Sequence, residues 1–421
     1  MSGRRRRLLE ATYPWIVVGL SFLTVGVAFG CRSSFAVFLV AIIEEFHWSR
    51  ALTAGVLFLG ALVWSLTAPF IGMLLDRFGP RVIFPAGSLI MALGFVISSM
   101  TENILHFYIG MGILMALGFA ALPMSTQAIV ISNWFIRRRG TAMGIAASGM
   151  GIGVLLIVPL SQYLISKLGW RHAYLFLALL LVGTIAPLNS ILQRHRPEDM
   201  GLAPDFGASS PKTAVQAKSD TGWTLGQALR SRRFWALALG ILTGAIPLHM
   251  ILIHQVAAVV DAGFSKGLAA SVLGLTGFFT SPSMILWGTT SDRIGREWAY
   301  TLGSLSMILG IILLLYTRDP SHIWMLYAYT VFFALGFASR QSLYPTIAAD
   351  LFHGSHFGAI NGALAFFTGA GSGIGPWLGG YLFDLFGNYY AAFWTANILA
   401  VISVILIWIA GPRQVRPPVR K

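Results

Sequence analysis

The sequence predicts an all-α membrane protein with twelve transmembrane helices in two pseudo-symmetric six-helix bundles. Three observations lead there. Of 421 residues, 56% are hydrophobic and 10% charged. An ordinary soluble domain has about a quarter charged and needs more polar surface to cover its core. Apolar stretches of about 20 residues, the length that crosses a bilayer's hydrocarbon, recur along the chain. Finally, the motifs of the first half return in the second at one long spacing.

The predicted crossings are residues 14–43, 52–75, 82–100, 104–135, 140–166, 172–192, 233–260, 266–290, 297–316, 321–350, 355–384 and 388–410. None alternates polar with apolar residues, which excludes a membrane β-barrel. The first is too long for the core of a signal peptide and is read as a retained helix. The formal net charge of +14 is explained by topology. Of 29 Lys and Arg, 22 fall in the tails and in the loops on the same side, including Arg77, Arg81, Arg137 to Arg139, Arg293 and Arg296. The opposite loops hold Arg50, Lys167, Arg171, Lys266 and Arg318. The positive-inside rule then puts both termini in the cytoplasm of a multi-pass inner (plasma) membrane protein. The basic excess is no nucleic-acid site. Cys31 is the sole cysteine, so no intrachain disulfide can form.

Residues 193–232 form the one long polar break, with Pro197, Gly201, Pro204, Gly207 and Pro211. They read as a cytoplasmic linker between bundles at 1–192 and 233–421. Within it, 223–229 reads either as a short amphipathic helix along the membrane or as an irregular tether. Gly72-Met-Leu-Leu-Asp76-Arg77-Phe-Gly79-Pro-Arg81 returns as Gly288-Thr-Thr-Ser-Asp292-Arg293-Ile-Gly295-Arg296-Glu297, 216 residues later. Gly140 to Gly153 returns as Gly358 to Gly371, 218 residues later, and Leu168-Gly169-Trp170 as Phe386-Gly387-Asn388. Six crossings per repeat is an even number, so both halves share one orientation about an axis along the membrane normal.

The first of these motifs resembles the Gly-x-Leu-x-Asp-Arg-x-Gly-x-Arg signature of the major facilitator superfamily. The resemblance implies a secondary transporter with a central cavity lined by helices 1, 4, 7 and 10. It also implies a cytoplasmic gate at Asp76 and Arg77, with Asp292 and Arg293 as the second copy. Asn133-Trp-Phe-Ile-Arg137-Arg138-Arg139-Gly140, followed by a small-residue helix, is similar to the start of helix 5 in monocarboxylate porters. Gly375-Pro376 through Tyr389 is similar to the end of helix 11 there. Gly144, Gly149, Gly151 and Gly153, with Gly369, Gly371, Gly373 and Gly375, provide faces on which backbones can approach closely; the resemblance sets those faces at the moving interface.

Two charges lie deep in the crossings, Arg32 and Arg340, with no comparably deep Asp, Glu or Lys. Arg32 stands 12 residues before Glu44, about 18 Å from that helix end at 1.5 Å per residue. A charge at that depth faces the bundle interior and a partner. A substrate carboxylate matches the planar guanidinium fork; the alternative is that each arginine caps carbonyls between helices. Arg32 aligns with the substrate-linked basic residue of monocarboxylate porters. Their usual helix-8 arginine is missing, however, and Ser281 occupies that position.

His249 is a candidate substrate or proton ligand because its ordinary pKa lies near 6.5. His254 is a second proton candidate, and Gln127 and Tyr344 are further substrate candidates. His249 and His254, five residues apart, share no helix face and are no metal pair.

The expected function is proton-coupled uptake of a small organic anion, a monocarboxylate or related carboxylate, by a monomer in the lipid bilayer. The alternatives are efflux of a drug or metabolite and, less favoured, a non-transporting sensor. No nucleophile triad, phosphate-binding loop or metal cluster points to an enzyme, a cofactor or a bound metal.

Overall fold

The computed structural model describes residues 3–135, 138–200, 223–352 and 357–412. Arg137, and Gly201, Pro204, Gly207 and Pro211 of the linker, lie outside the described residues. All regular structure among the described residues is helical. The first crossing is split into α1 (Gly3–Ser33) and α2 (Phe35–Phe46), and the second into α3 (Arg50–Ala54) and α4 (Val56–Phe78). The third is α5 (Pro80–Ser99). The fourth consists of α6 (Ile104–Phe107), a π-helical stretch (Tyr108–Leu114), α7 (Met115–Phe119) and α8 (Met124–Trp134). α9 (Arg139–Leu168) and α10 (Trp170–Leu192) complete the first six.

A short α11 (Leu225–Arg230) precedes α12 (Arg232–Asp261), α13 (Lys266–Ile294), α14 (Arg296–Tyr316), α15 (Ile323–Leu351), α16 (Phe357–Phe386) and α17 (Tyr390–Ala410). Among the described residues, 11 helical stretches are long and apolar enough to span a bilayer. α16 supplies the twelfth crossing, its hydropathy diluted by eight glycines.

Contacts group the chain into two compact units, Met1–Phe38 with Leu62–Gln216, and Leu39–Ala61 with Ala217–Lys421. The sequence repeat assigns Leu39–Ala61 to the first half, yet in this structure it groups with the second unit.

In the first unit, α1 and α9 pack backbone to backbone. A Cβ on Gly153 would fall on the Gly26 carbonyl, and one on Gly30 would come within 2.6 Å of Gly153 O. In the second unit α16 lies equally close to α12, where a Cβ on Gly371 would meet Ala245 Cβ at 2.6 Å. Gly149, Gly153, Gly371 and Gly375 thus serve close packing inside the units, whereas a Cβ on Gly144 would meet nothing within 4 Å. Gly373 and Gly380 are different and lie against Phe58, Arg50 and Ala51 of the 39–61 segment.

The turns repeat as the motifs do. Gly79 and Gly295, at φ 74° and 95°, start α5 and α14, while Gly169 and Gly387 turn into α10 and α17 at φ 81° and 71°. An L side chain is strained there, so the repeated glycines are a backbone requirement.

Carbonyls in the last turn of α10 and in the segment just after it, which lack a helical partner, are taken up by motif residues. Arg81 Nη2 donates to Ile191 O at 2.6 Å, Trp134 Nε1 to Arg194 O at 3.2 Å and Asn133 Nδ2 to His195 O at 3.3 Å. The stretch expected at 223–229 becomes α11, with a capping box between Thr224 and Gln227. Trp223 and Leu225 pack on the apolar core built around Phe234, Leu237, Tyr300 and Phe352.

Candidate functional site

Arg32 lies in the last turn of α1, just before the interruption at Ser34. Ser34 Oγ donates to Gly30 O at 2.9 Å and accepts from Ser161 Oγ of α9 at 2.9 Å, which pins the interruption. The half-buried Arg32 guanidinium stands 4.8 Å from the centroid of Phe119. That aromatic face is the only contact described for it; among the described residues it has neither a carboxylate nor a hydrogen-bond acceptor. Phe119 ends α7, where the fourth crossing breaks over residues 120–123 before Pro123 starts α8. Thr126 Oγ1 reaches the carbonyls of Ala121 and Pro123 at 2.9 and 2.8 Å and secures the break.

Interrupted helices that leave polar backbone near a binding point, and π-helical turns, recur at functional sites. From sequence, residues 104–135 read as one unbroken crossing; Pro123 is the one local signal that could have shown the break, and nothing local marks Phe119 as the partner of Arg32.

Gln127 follows in α8, which packs on α1. It is 0% exposed, and neither its Oε1 nor its Nε2 has a hydrogen-bond partner. A buried amide left unpaired costs about 1–3 kcal/mol per group. The first unit thus combines a cation without an acid and an amide without a partner.

The second unit treats its arginine differently. Arg340, 1% exposed, donates Nε–H to Gly244 O at 3.2 Å, Nη1–H to Gly336 O at 3.0 Å and Nη2–H to Ser304 Oγ at 3.3 Å. Its guanidinium also lies 5.2 Å from the Tyr300 ring centroid. These bonds tie α15 to α12 and α14. Tyr344 lies 2.9 Å from Tyr300 Oη, which is 2.5 Å from Ser403 Oγ; that hydroxyl donates to Gly240 O at 2.6 Å. Sequence reasoning missed Tyr300, Ser304 and Ser403, because nothing local in three separate helices announces a shared polar network.

His249 is half-buried with Nδ1 2.9 Å from Ala245 O, one turn back on its own helix. His254 is fully buried between Tyr389 Oη, 3.0 Å from Nδ1, and Pro376 O, 2.8 Å from Nε2.

Of the expected gate residues, Asp76 and Arg77 are both exposed, with Arg77 over the Phe78 ring at 5.2 Å. Asp76 lies close enough to act electrostatically on His195, whose pKa burial lowers; Arg196 adds to that shift, while Asp199 and Asp76 oppose it. In the second copy Asp292 pairs with Arg296 at 2.8 Å, and Arg296 also bonds Asp350 at 3.0 Å. Arg293 is exposed. The ion pair thus runs through the basic residue after the turn glycine, a position counted from sequence only as topogenic charge.

Two helical units with twelve crossings, polar interruptions and paired charges at the helix ends define a multi-pass membrane transporter. The family model of the Major Facilitator Superfamily matches residues 21–280 and 248–421, and the chain belongs to that family. It is 26% identical to human monocarboxylate transporter 2 over 418 residues, covering 96% of this chain and 86% of that protein. With monocarboxylate transporter 13 of Bos taurus it shares 27% over 402 residues, covering 94% and 89%. Two solved structures have the same fold. A bacterial homologue of the human lysosomal transporter Spinster, inward-facing and occupied, superposes with TM-score 0.72 at 17% identity, covering 96% of this chain and 99% of that one. A variant of the nucleoside transporter NupG gives 0.71 at 13%, covering 95% and 99%.

Proposed function

We propose that the protein imports a small organic anion, a monocarboxylate or related carboxylate, together with a proton, by alternating access. The observation that carries this reading is Arg32, a half-buried cation at a helix interruption, stacked on Phe119 with no acid or acceptor among the described residues. Its donors are free for a carboxylate, which they can bind bidentately. Gln127 supplies an amide whose donors and acceptor are unspent. The monocarboxylate transporters among the relatives support the same substrate class.

Arg340 is placed as a frame residue, because three of its donors already serve the protein. Tyr344 belongs to the same frame, and His249 and His254 are the candidates for the coupled proton. The gate role of Asp76, Arg77, Asp292 and Arg293 extends in this reading to Arg296. In this reading the carrier is a monomer, with both termini in the cytoplasm and the basic loops on the inner face of a plasma membrane, as the charge asymmetry of the loops favours.

Purified protein in proteoliposomes, offered radiolabelled lactate, pyruvate, acetate and succinate with and without an inward proton gradient, tests the proposal. Accumulation that collapses with an uncoupler is expected. Gradient-independent uptake removes the coupling, and absence of uptake of any acid removes the substrate class.

A further inference from the structure

One polar cluster is not used by the proposed anion site. It lies in the second unit, where the 39–61 segment meets α12, α16 and the start of α17. The Asp384 carboxylate, near the end of α16, accepts the backbone N–H of Arg50 at 2.9 Å and of Ala51 at 2.8 Å. It thereby caps the first turn of α3, alongside the Ser49 side chain. The Arg50 guanidinium pairs with Asp261 at 2.9 Å, lies 3.7 Å from the Phe383 ring centroid and donates to Tyr389 Oη. Gly380 permits this approach, since a Cβ there would come within 2.6 Å of Ala51 N and Arg50 C. Lys266 and Glu44 close the same end with a 2.6 Å pair.

Proton positions follow from the acceptors. Pro376 O can only accept, so neutral His254 carries its proton on Nε2 and its Nδ1 accepts from Tyr389 O–H. The Tyr389 oxygen in turn accepts from Arg50. The chain runs from Asp261 through Arg50 and Tyr389 to His254, each group using its bond in one direction.

We propose that this chain is the proton-responsive latch of the transport cycle, in which a proton taken up by His254 frees the 39–61 segment from the second unit. The proton goes to Nδ1, which becomes a donor. Tyr389 Oη then faces N–H donors from two cations, and its own hydrogen must turn away from Nδ1. A second positive charge beside Arg50 in a poorly solvated site weakens the Arg50–Tyr389 bond and the stacking behind it. The charged and titratable groups around the ring are Arg50 from α3, Asp261 at the end of α12, Asp384 from α16, Tyr389 before α17, and the Lys266–Glu44 pair. A tyrosine hydroxyl ordinarily titrates at about pH 10, so Tyr389 remains a donor throughout the range tested. The inference deepens the proposed proton coupling and rests on it, naming His254 rather than His249 as the site.

Hydrogen–deuterium exchange on the full-length protein in lipid nanodiscs tests the latch without any substrate. The measured peptides cover the Arg50 and Ala51 amides, with rates corrected for intrinsic pH dependence. His47, exposed on the segment itself, and His322, paired with Asp319, are first replaced by Gln. Between about pH 7.5 and 4, a range wide enough to include fully buried histidines, protection of these amides should fall by at least about tenfold. His254→Gln and Tyr389→Phe should each abolish that pH response, whereas Asp384→Asn should lose protection at both pH values. Protection that is insensitive to pH, or a full response in both His254→Gln and Tyr389→Phe, overturns the proposal. Should either variant fail to fold, the other decides. A pH response without uptake of any carboxylate would sink the substrate reading and keep the latch; carboxylate uptake with a flat response would do the reverse.

Discussion

Replacing Arg32 with Gln removes the one deep arginine that the described residues leave without a hydrogen-bond acceptor, and the structure sets the scale of the loss. The guanidinium's sole described contact is the Phe119 face at 4.8 Å, worth about 0.5–2 kcal/mol depending on desolvation. Nothing therefore has to be broken before a carboxylate can bind. A bidentate pair makes two charge-assisted hydrogen bonds of about 1.5–3 kcal/mol each, a gross 3–6 kcal/mol. At about 1.4 kcal/mol per tenfold, that predicts anion affinity falling about 150-fold or more. Scintillation-proximity binding of the labelled acid to detergent-purified protein measures it, with thermal unfolding run alongside to show that the variant is folded. Because Arg32 supports no other described side chain, its melting temperature should change little. A folded Arg32→Gln that binds within threefold of wild type would refute the assignment.

The two arginines should separate cleanly. Arg340→Met leaves the acceptors at Gly244 and Ser304 without their donor and should cost about 3 kcal/mol, read as a lower melting temperature in wild-type lipid. Gln127→Met removes two unpaired buried groups and should raise the melting temperature without ligand while weakening anion binding, a combination that simple packing of Gln127 does not produce. His195 gives a pH signature. Burial lowers its pKa in the folded chain, so its stabilising contribution is present above the ordinary histidine value near 6.5 and shrinks as pH falls through the lower folded value. Stability measured between about pH 7.5 and 5.5 should drop less in His195→Asn than in wild type.

The sequence by itself determined the membrane class, the twelve crossings, the duplication and the family. Those depend on composition, length and spacing, which the bilayer imposes locally on every segment. Gly79, Gly169, Gly295 and Gly387 were legible only as members of the repeats, and their positive φ came from the structure. Arg32 and Arg340 were both legible as deep charges, but a linear pattern gives both the same rank. Only the tertiary structure separated them, by setting Arg32 on an aromatic face and surrounding Arg340 with Gly244 O, Gly336 O and Ser304 from distant helices.

The same holds for Arg296, counted in the sequence only as topogenic charge, and for Arg50, which looked like an isolated loop cation. Its partners Asp261, Asp384 and Tyr389 are more than 200 residues away in the chain. Hydrogen bonding has a reach of about 3 Å and strict direction. Which polar groups share it is decided when helices pack, and no local pattern records the outcome.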